Sequence, residues 1–351
     1  MRRVVLGGLS AALLSGCATT PPAITGWPAV TVTASGETVP VGTARQDAAD
    51  DPAIWRNPAD PAASLIVATD KKAGLHVYDL TGRERSMVAV GRVNNVDLVD
   101  LGAEGVIVVA SDRNDLANAA LQVFRLDPAT ATLQPLGRVP GGAGEGYGLC
   151  LWNNAGTIHA FSVLKQGNIE EFRLELAGGT VRSVPVLSRK VMTQPEGCVA
   201  DPRNGTLYVG EETAGVWRYA AGSAQGTLVL PVDNRMLVAD VEGIDIAPKG
   251  SSSGGWLVVS SQGDNAYAVF DLVTMAPVGR FRIGAGEFGA TEETDGIALD
   301  VRSFGAQYPG GLFVAQDGQN APAAQNFKLV SWRMVEEALS QWSRPPQPAQ
   351  P

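Results

Sequence analysis

Six times along this chain an acidic or polar residue, usually followed by glycine, opens an apolar strand-like run. The signal reads Asp51-Pro52-Ala53-Ile54, Asn95-Val96-Asp97-Leu98, Tyr147-Gly148-Leu149, Glu196-Gly197-Cys198, Glu242-Gly243-Ile244 and Asp295-Gly296-Ile297. Successive anchors are 44, 52, 49, 46 and 53 residues apart. Self-similarity at that period is the mark of propeller blades, in which each repeat buries its faces only against its neighbours.

The fourth repeat shows the plan of one blade. Glu196-Gly197 opens a short strand, Cys198-Val199-Ala200, and Asp201-Pro202-Arg203-Asn204-Gly205 is a turn by its Pro, Asn and Gly. Thr206 to Val209, Val216 to Tyr219 and Thr227 to Leu230 supply three more strands. The other repeats follow suit, for example Leu65 to Ala68 then Leu75 to Tyr78, and Val106 to Val109 then Leu121 to Phe124. The fold expected is all-β: a six-bladed propeller with four antiparallel strands per blade. Only three strands fit after Asp295, so an N-terminal strand, Ala29 to Thr33, is expected to complete the last blade and close the ring. Met334 to Trp342 reads as a short terminal helix.

Composition narrows the chemistry. Gly 41 and Pro 22 suit a turn-rich β protein, and a formal net charge of −9 argues against a nucleic-acid partner. Only two histidines occur, His76 and His159, both inside alternating strand-like runs. Zinc and di-iron hydrolases need several imidazoles, so those chemistries are disfavoured. A phosphohistidine mechanism lacks its Arg-His-Gly setting, and no cysteine has the arginine six residues on that a cysteine phosphatase loop needs.

The first residues read as a targeting segment. Arg2-Arg3 precede an apolar stretch from Val4 to Leu14, too short to span a membrane, and Leu14-Ser15-Gly16-Cys17 resembles a lipoprotein box. The expected organisation is a lipoprotein signal peptide over 1–17, a flexible tether over 18–27, the propeller over 28–343 and a disordered tail over 344–351. The mature protein is then an exported monomer, anchored by lipid on Cys17 at the periplasmic or cell-surface side of a membrane. Cys150 lies two residues after its anchor glycine and Cys198 one, so the two should face opposite sides of their strands. Free buried thiols are therefore expected rather than a disulfide.

Hairpin geometry locates a candidate site. In an antiparallel blade the start of the first strand and the end of the second share one edge. All six anchors and all six second-to-third-strand turns therefore crowd onto one rim. The first three turns carry Lys71, Lys72, Arg113 and Lys165. Carboxylates come from later repeats and from the first: Glu196, Glu211, Glu212, Asp240, Glu242, Asp295 and Asp317, with Asp50 and Asp51. That many carboxylates at one mouth repel one another unless cations neutralise them. Oxygen-only ligands select hard ions, and calcium tolerates irregular cages best. A basic crescent beside a calcium cluster suits a multiply phosphorylated substrate.

Several segments, in order and together, carry a resemblance to the β-propeller phytases. They are Asp50 to Trp55, Lys71 to Leu75, Asn94 to Leu98, Gln194 to Gly197, Asp240 to Gly243, Ser260 to Tyr267, Thr294 to Gly296 and Gln325 to Lys328. The resemblance implies calcium-dependent hydrolysis of phytate, presented as its calcium salt, by direct attack of a calcium-activated water. It implies that Asp50, Glu196, Glu212, Asp240, Glu242, Gln262 and Asp295 hold or surround several calcium ions. Asp51, Asn95, Asp97, Glu211 and Asp317, at anchors and rim turns, are further candidate ligands. Lys71, Arg113, Tyr147 and Lys165, with Glu212 and Asp240, are expected to do the chemistry, and Lys72 to meet a neighbouring phosphate. The alternatives are another calcium-dependent propeller hydrolase, a phosphodiesterase or lactonase, or a non-enzymatic propeller that binds a polyanion. Four cationic turn residues speak against a neutral lactone.

Overall fold

The computed structural model describes residues 24–346. The leader, the lipid-anchor residue, most of the tether and the last five residues of the tail lie outside the described residues. Six sheets follow in chain order, each built on the expected four antiparallel strands, with blade 5 carrying a fifth in parallel and blade 6 taking its outer strand from the N-terminal segment. Blade 1 comprises Ala49–Trp55, Leu65–Asp70, Gly74–Asp79 and Glu84–Ala89. Blades 2 to 5 begin at the strands Val93–Asp100, Gly146–Asn154, Pro195–Ala200 and Val241–Lys249, and blade 6 at Ile297–Asp300. A helix, Trp332–Leu339, follows blade 6 and starts two residues before the sequence pattern suggests.

Continuous apolar runs become strands buried on both faces. In blade 1, Leu65 and Val67 pack with Val96, Val106 and Val108 of blade 2. Their strand neighbours Ile66 and Ala68 pack instead with Phe304, Leu312 and Val314 of blade 6. Each seam between blades is thus its own small core, filled by alternate residues of two sheets. Truncating one fully buried aromatic there, such as Phe124→Ala, would cost ~3–5 kcal/mol.

An N-terminal strand closes the last blade, but it is not the expected Ala29 to Thr33. Gly36–Glu37 pairs antiparallel with Asn326–Ser331 and completes blade 6. Val30–Thr33 sits one blade earlier, added in parallel to Pro277–Gly284 as a fifth strand of blade 5. A parallel addition is set by partners some 250 residues away, as in Val30↔Phe281, and leaves no local turn signal.

The expectation of free thiols is overturned: Cys150 and Cys198 form a disulfide, with Cα atoms 5.7 Å apart. The side-chain parity itself is as the sequence suggests. Cys150 packs with Phe161 and Val163 on the face of blade 3 that looks toward blade 4, and Cys198 packs with Ala200 and Val209 on the face that looks back. Blades stack front to back around a ring, so opposite faces of successive inner strands meet. The parity that argued against the bond is the one that permits it.

The anchor glycines also find their reason between blades. A Cβ on Gly148 would lie 1.9 Å from the carbonyl oxygen of Glu196, and one on Gly197 2.1 Å from that of Glu242. Gly243 and Gly296 meet the carbonyls of Asp295 and Asp50 in the same way, and their N–H groups donate to those oxygens at 2.7 and 2.9 Å. Only glycine lets one inner strand approach the next so closely. The acidic residues are brought side by side as a result.

Candidate active site

Anchors and rim turns converge on a cavity of about 920 Å³. Lys71, Tyr147, Glu196, Glu212, Asp240, Glu242, Gln262 and Asp295 line it together. Lys71 is the hub of its acidic side. Its buried ammonium lies 2.8 Å from Asp47 Oδ2, 2.9 Å from Asp50 Oδ1 and 2.8 Å from Asp295 Oδ2. The Asp50 contact is one of charge, with no aligned hydrogen bond at Oδ1. Burial alone would lower the Lys71 pKa, but the carboxylates of Asp50, Asp295 and Asp47 override it and raise it, so the ammonium stays charged.

Asn94 ties the two halves of the site together. Its Nδ2 donates to Asp50 Oδ2 at 2.9 Å and to Glu196 Oε1 at 2.6 Å, while its Oδ1 accepts from Arg113 Nη1. Arg113 is held on its other side by Glu145. Its guanidinium carbon lies 5.3 Å from the centre of the Tyr147 ring, and Lys165 Nζ lies 4.8 Å from the same centre. The ring thus gathers two cations against its π-face. The Tyr147 hydroxyl accepts from Gln194 Nε2 at 3.1 Å, and Gln194 also donates to Glu212 Oε1.

The carboxylates are held far from their ordinary state. Burial, then Asp295 and Glu212 nearby, pushes Glu196 up to about 7 despite Lys71. Burial and Asp240 push Glu212 up to about 7 against its bond from Gln194. Asp50 is raised to about 6 and Asp295 to about 8, burial leading in both and Lys71 opposing it. Glu242 is raised well above its usual range by burial and by Glu196, Asp295 and Glu212. The Tyr147 phenol is likewise raised by burial and these carboxylates, so it keeps its proton.

This donor set fits a hard cation. Oxygens of Glu196, Glu212 and Glu242 all lie within 4.8 Å of one another. Glu242 Oε2 is buried and has no hydrogen-bond partner. An unanswered buried oxygen is costly, and a cation would answer it. Among the described residues, no histidine or cysteine joins this cluster.

Other candidates stand elsewhere. Asp51, Asn95 and Asp97 line a second cavity of about 550 Å³ that occupies the rest of the channel. There Asp51 Oδ2 accepts the N–H of Val96 at 3.0 Å, and Asp97 accepts those of Leu98 and Leu151 at 2.6 and 2.7 Å. Glu211 turns into blade 4, where Thr193 and the Trp217 indole occupy its oxygens. Asp317 pairs with buried Lys328 at 3.1 Å. Lys72 is exposed on its turn and does not line the cavity; Arg113 and Lys165 do not line it either and meet it through the Tyr147 ring. Conversely, Asn94, Gln194, Glu145 and Asp47 belong to the site and are not among the sequence candidates. The first three had a usable signal: they sit one or two residues before an anchor, as Asp50 and Asp240 do.

Comparison with known proteins agrees with this geometry. A chain in the crystal structure of a mitotic checkpoint complex superposes with a TM-score of 0.51, covering 88% of this chain and 82% of that one, at 12% identity, which speaks to the fold alone. The 3-phytase of Bacillus subtilis (strain 168) is 36% identical over 331 residues, spanning 88% of this chain and 86% of the relative. Residues 2–344 match the sequence model of the family described as Phytase. The carboxylate cluster facing a Tyr147-centred basic arc therefore belongs to a member of the phytase family.

Proposed function

We propose that the chain hydrolyses phytate, myo-inositol hexakisphosphate, as a 3-phytase and releases inorganic phosphate, with calcium as its metal. The observation that carries this reading is an oxygen-only acidic cluster in a cavity that Tyr147 also lines, with the Arg113 and Lys165 cations held against the Tyr147 ring. Glu196, Glu212 and Glu242, with Asp50, Asp240, Gln262 and Asp295 around them, would hold the ions. Bound there, calcium would neutralise the cluster, offset phosphate charge and make a coordinated water more acidic.

The chain's own residues orient the phosphate. Arg113 is aimed by Asn94 and Glu145, leaving its other N–H groups for equatorial phosphoryl oxygens. Lys165 adds an ammonium, and protonated Tyr147 offers a donor from between them. Lys71, surrounded by three carboxylates, organises the acidic wall and lends the cavity its inner positive charge. Gln194 fixes Glu212 Oε1, so Oε2 is left for the ion or for the proton of the attacking water. Water oxygen forms the new P–O bond, the ester P–O bond breaks, and the departing inositol oxygen takes a proton.

The decisive experiment measures phosphate release from calcium–phytate, nucleotides and a lactone by the purified protein. Release from calcium–phytate above the others supports the reading. Lactone opening without phosphate release would replace it with the neutral-substrate hydrolase. The leader is read as a lipoprotein signal, and loss of membrane association in Cys17→Ala would support that.

A further inference from the structure

We infer that the Cys150–Cys198 disulfide is a positioning element of the active site. It fixes the strand that carries Tyr147, on the phosphate side, against the strand that carries Glu196, on the cation side. The inference rests on the functional reading above for which groups meet phosphate and which meet metal.

One of the seams between inner strands carries a covalent bond besides its packing. Across blades 1 and 2, Asp51 accepts the Val96 N–H, and across blades 2 and 3, Asp97 accepts that of Leu151. Blades 4 and 5 share Val241 N–H to the Glu212 carbonyl at 2.9 Å. Blades 5 and 6 share Gly243 N–H to Asp295, and blades 6 and 1 share Gly296 N–H to Asp50. Between blades 3 and 4 the backbone of Gly148 comes up against that of Glu196, and a covalent bond, Cys150–Cys198, is added at that seam.

Its place matters for three reasons. The seam is where the ring changes sign, blade 3 giving Tyr147 and Lys165 and blade 4 giving Glu196 and Glu212. The half-cystines lie three residues from Tyr147 and two from Glu196, so each is within the same strand start. Both strand starts are also irregular, as are those of blades 1, 2 and 5, with ladder register lost between Gly146 and Leu149 and between Pro195 and Cys198. A bulged strand start is weakly fixed by its own blade. The Gln194–Tyr147 hydrogen bond crosses here too, but it joins side chains and not the strands that carry them. Gly148 lies against the Glu196 carbonyl, so the two strands are close where the disulfide joins them.

The test compares the parent with Cys150→Ala/Cys198→Ala and with Cys150→Val/Cys198→Ala, which refills the seam without a bond. Val335→Ala, in the terminal helix, serves as a control that lowers the melting temperature away from the site. Calcium binding is measured by calorimetry without substrate, and kcat and KM with calcium–phytate, well below each melting temperature. Both cystine-free variants are expected to bind calcium about tenfold more weakly, as lost supporting contacts do to metal sites, and to lose kcat, while the control keeps both. Parent-like calcium binding and kcat in the variants, or equal losses in the control, would overturn the inference. So would free thiols in the exported parent by non-reducing peptide mapping. A parent that binds calcium but releases no phosphate from phytate would sink the functional reading alone, because the calcium arm still decides the role of the disulfide.

Discussion

The two stretches of the central channel use the same six inner strands and the same residue type, yet they answer buried carboxylates differently. Along the inner stretch, Asp97 receives two backbone N–H groups, and Asp245 receives those of Ile246 and Leu299 at 2.7 and 2.6 Å. Each of these aspartates ties its blade to the next. At the mouth, Glu242 Oε2 has no protein donor, and Glu196 and Glu212 rely on one side-chain amide each at one oxygen. A carboxylate answered by the backbone is a fastener. One left unanswered, among others like it, is a place for a cation.

Removing the cation should separate the two stretches most sharply. Exhaustive chelation is expected to abolish phosphate release, and calcium to restore it, with the propeller still folded by circular dichroism. Full activity after chelation would end the distinction. Next in size, Glu242→Gln is expected to lower kcat/KM about a hundredfold, the upper end of what lost metal-site contacts cost, with added calcium recovering part of it. Lys71→Met should match that loss and also disturb the wall, because it leaves Asp50 and Asp295 facing each other without their cation.

Inside the channel the expected loss is of stability. Asp97→Ala strands two backbone donors and should cost ~1–3 kcal/mol per donor left unpaired, read by urea denaturation. Its calcium half-saturation should stay near the parent's. A large shift in calcium affinity instead would make Asp97 a ligand and blur the comparison.

The smallest effect expected is one of pH. In chelator, the folded protein holds protons on Asp50, Glu196, Glu212 and Asp295 up to about 6, 7, 7 and 8. The unfolded chain releases such protons at about 4. Stability from these groups is therefore full below that value and is lost as pH rises through the folded values, so the chelated protein should melt lower at pH 8 than at pH 6. In calcium the ordering should reverse, because ions displace the protons and bind better as pH rises. Melting scans at the two pH values, with and without calcium, check both signs.

The mouth was legible because strand period and hairpin geometry are local rules. Knowing where strands begin places Lys71, Glu196, Glu212 and Asp295 on one rim without knowing any angle between sheets. What lay beyond those rules depended on how one blade faces the next. Asp97 looks like a rim ligand until the Leu151 N–H of blade 3 is brought to it. Glu211 and Glu212 are adjacent in sequence and point to opposite sides, and only the packing of Trp217 tells which is structural. Opposite parity of Cys150 and Cys198 argues against a bond only if their strands lie in one sheet, whereas stacked blades bring opposite faces together. The strand Val30–Thr33 is legible, but its parallel partner is distant in sequence.

The glycines that meet neighbouring carbonyls make the mouth's diameter a property of main-chain spacing. A methyl group added at Gly197 would have to displace the Glu242 backbone, and the strain would run round a closed hoop with no free end to absorb it. The aperture is in that sense a fixed iris. Variation in what it accepts must then come from the jaws mounted on it, the turns bearing Lys71, Arg113 and Lys165, which can change while the iris does not.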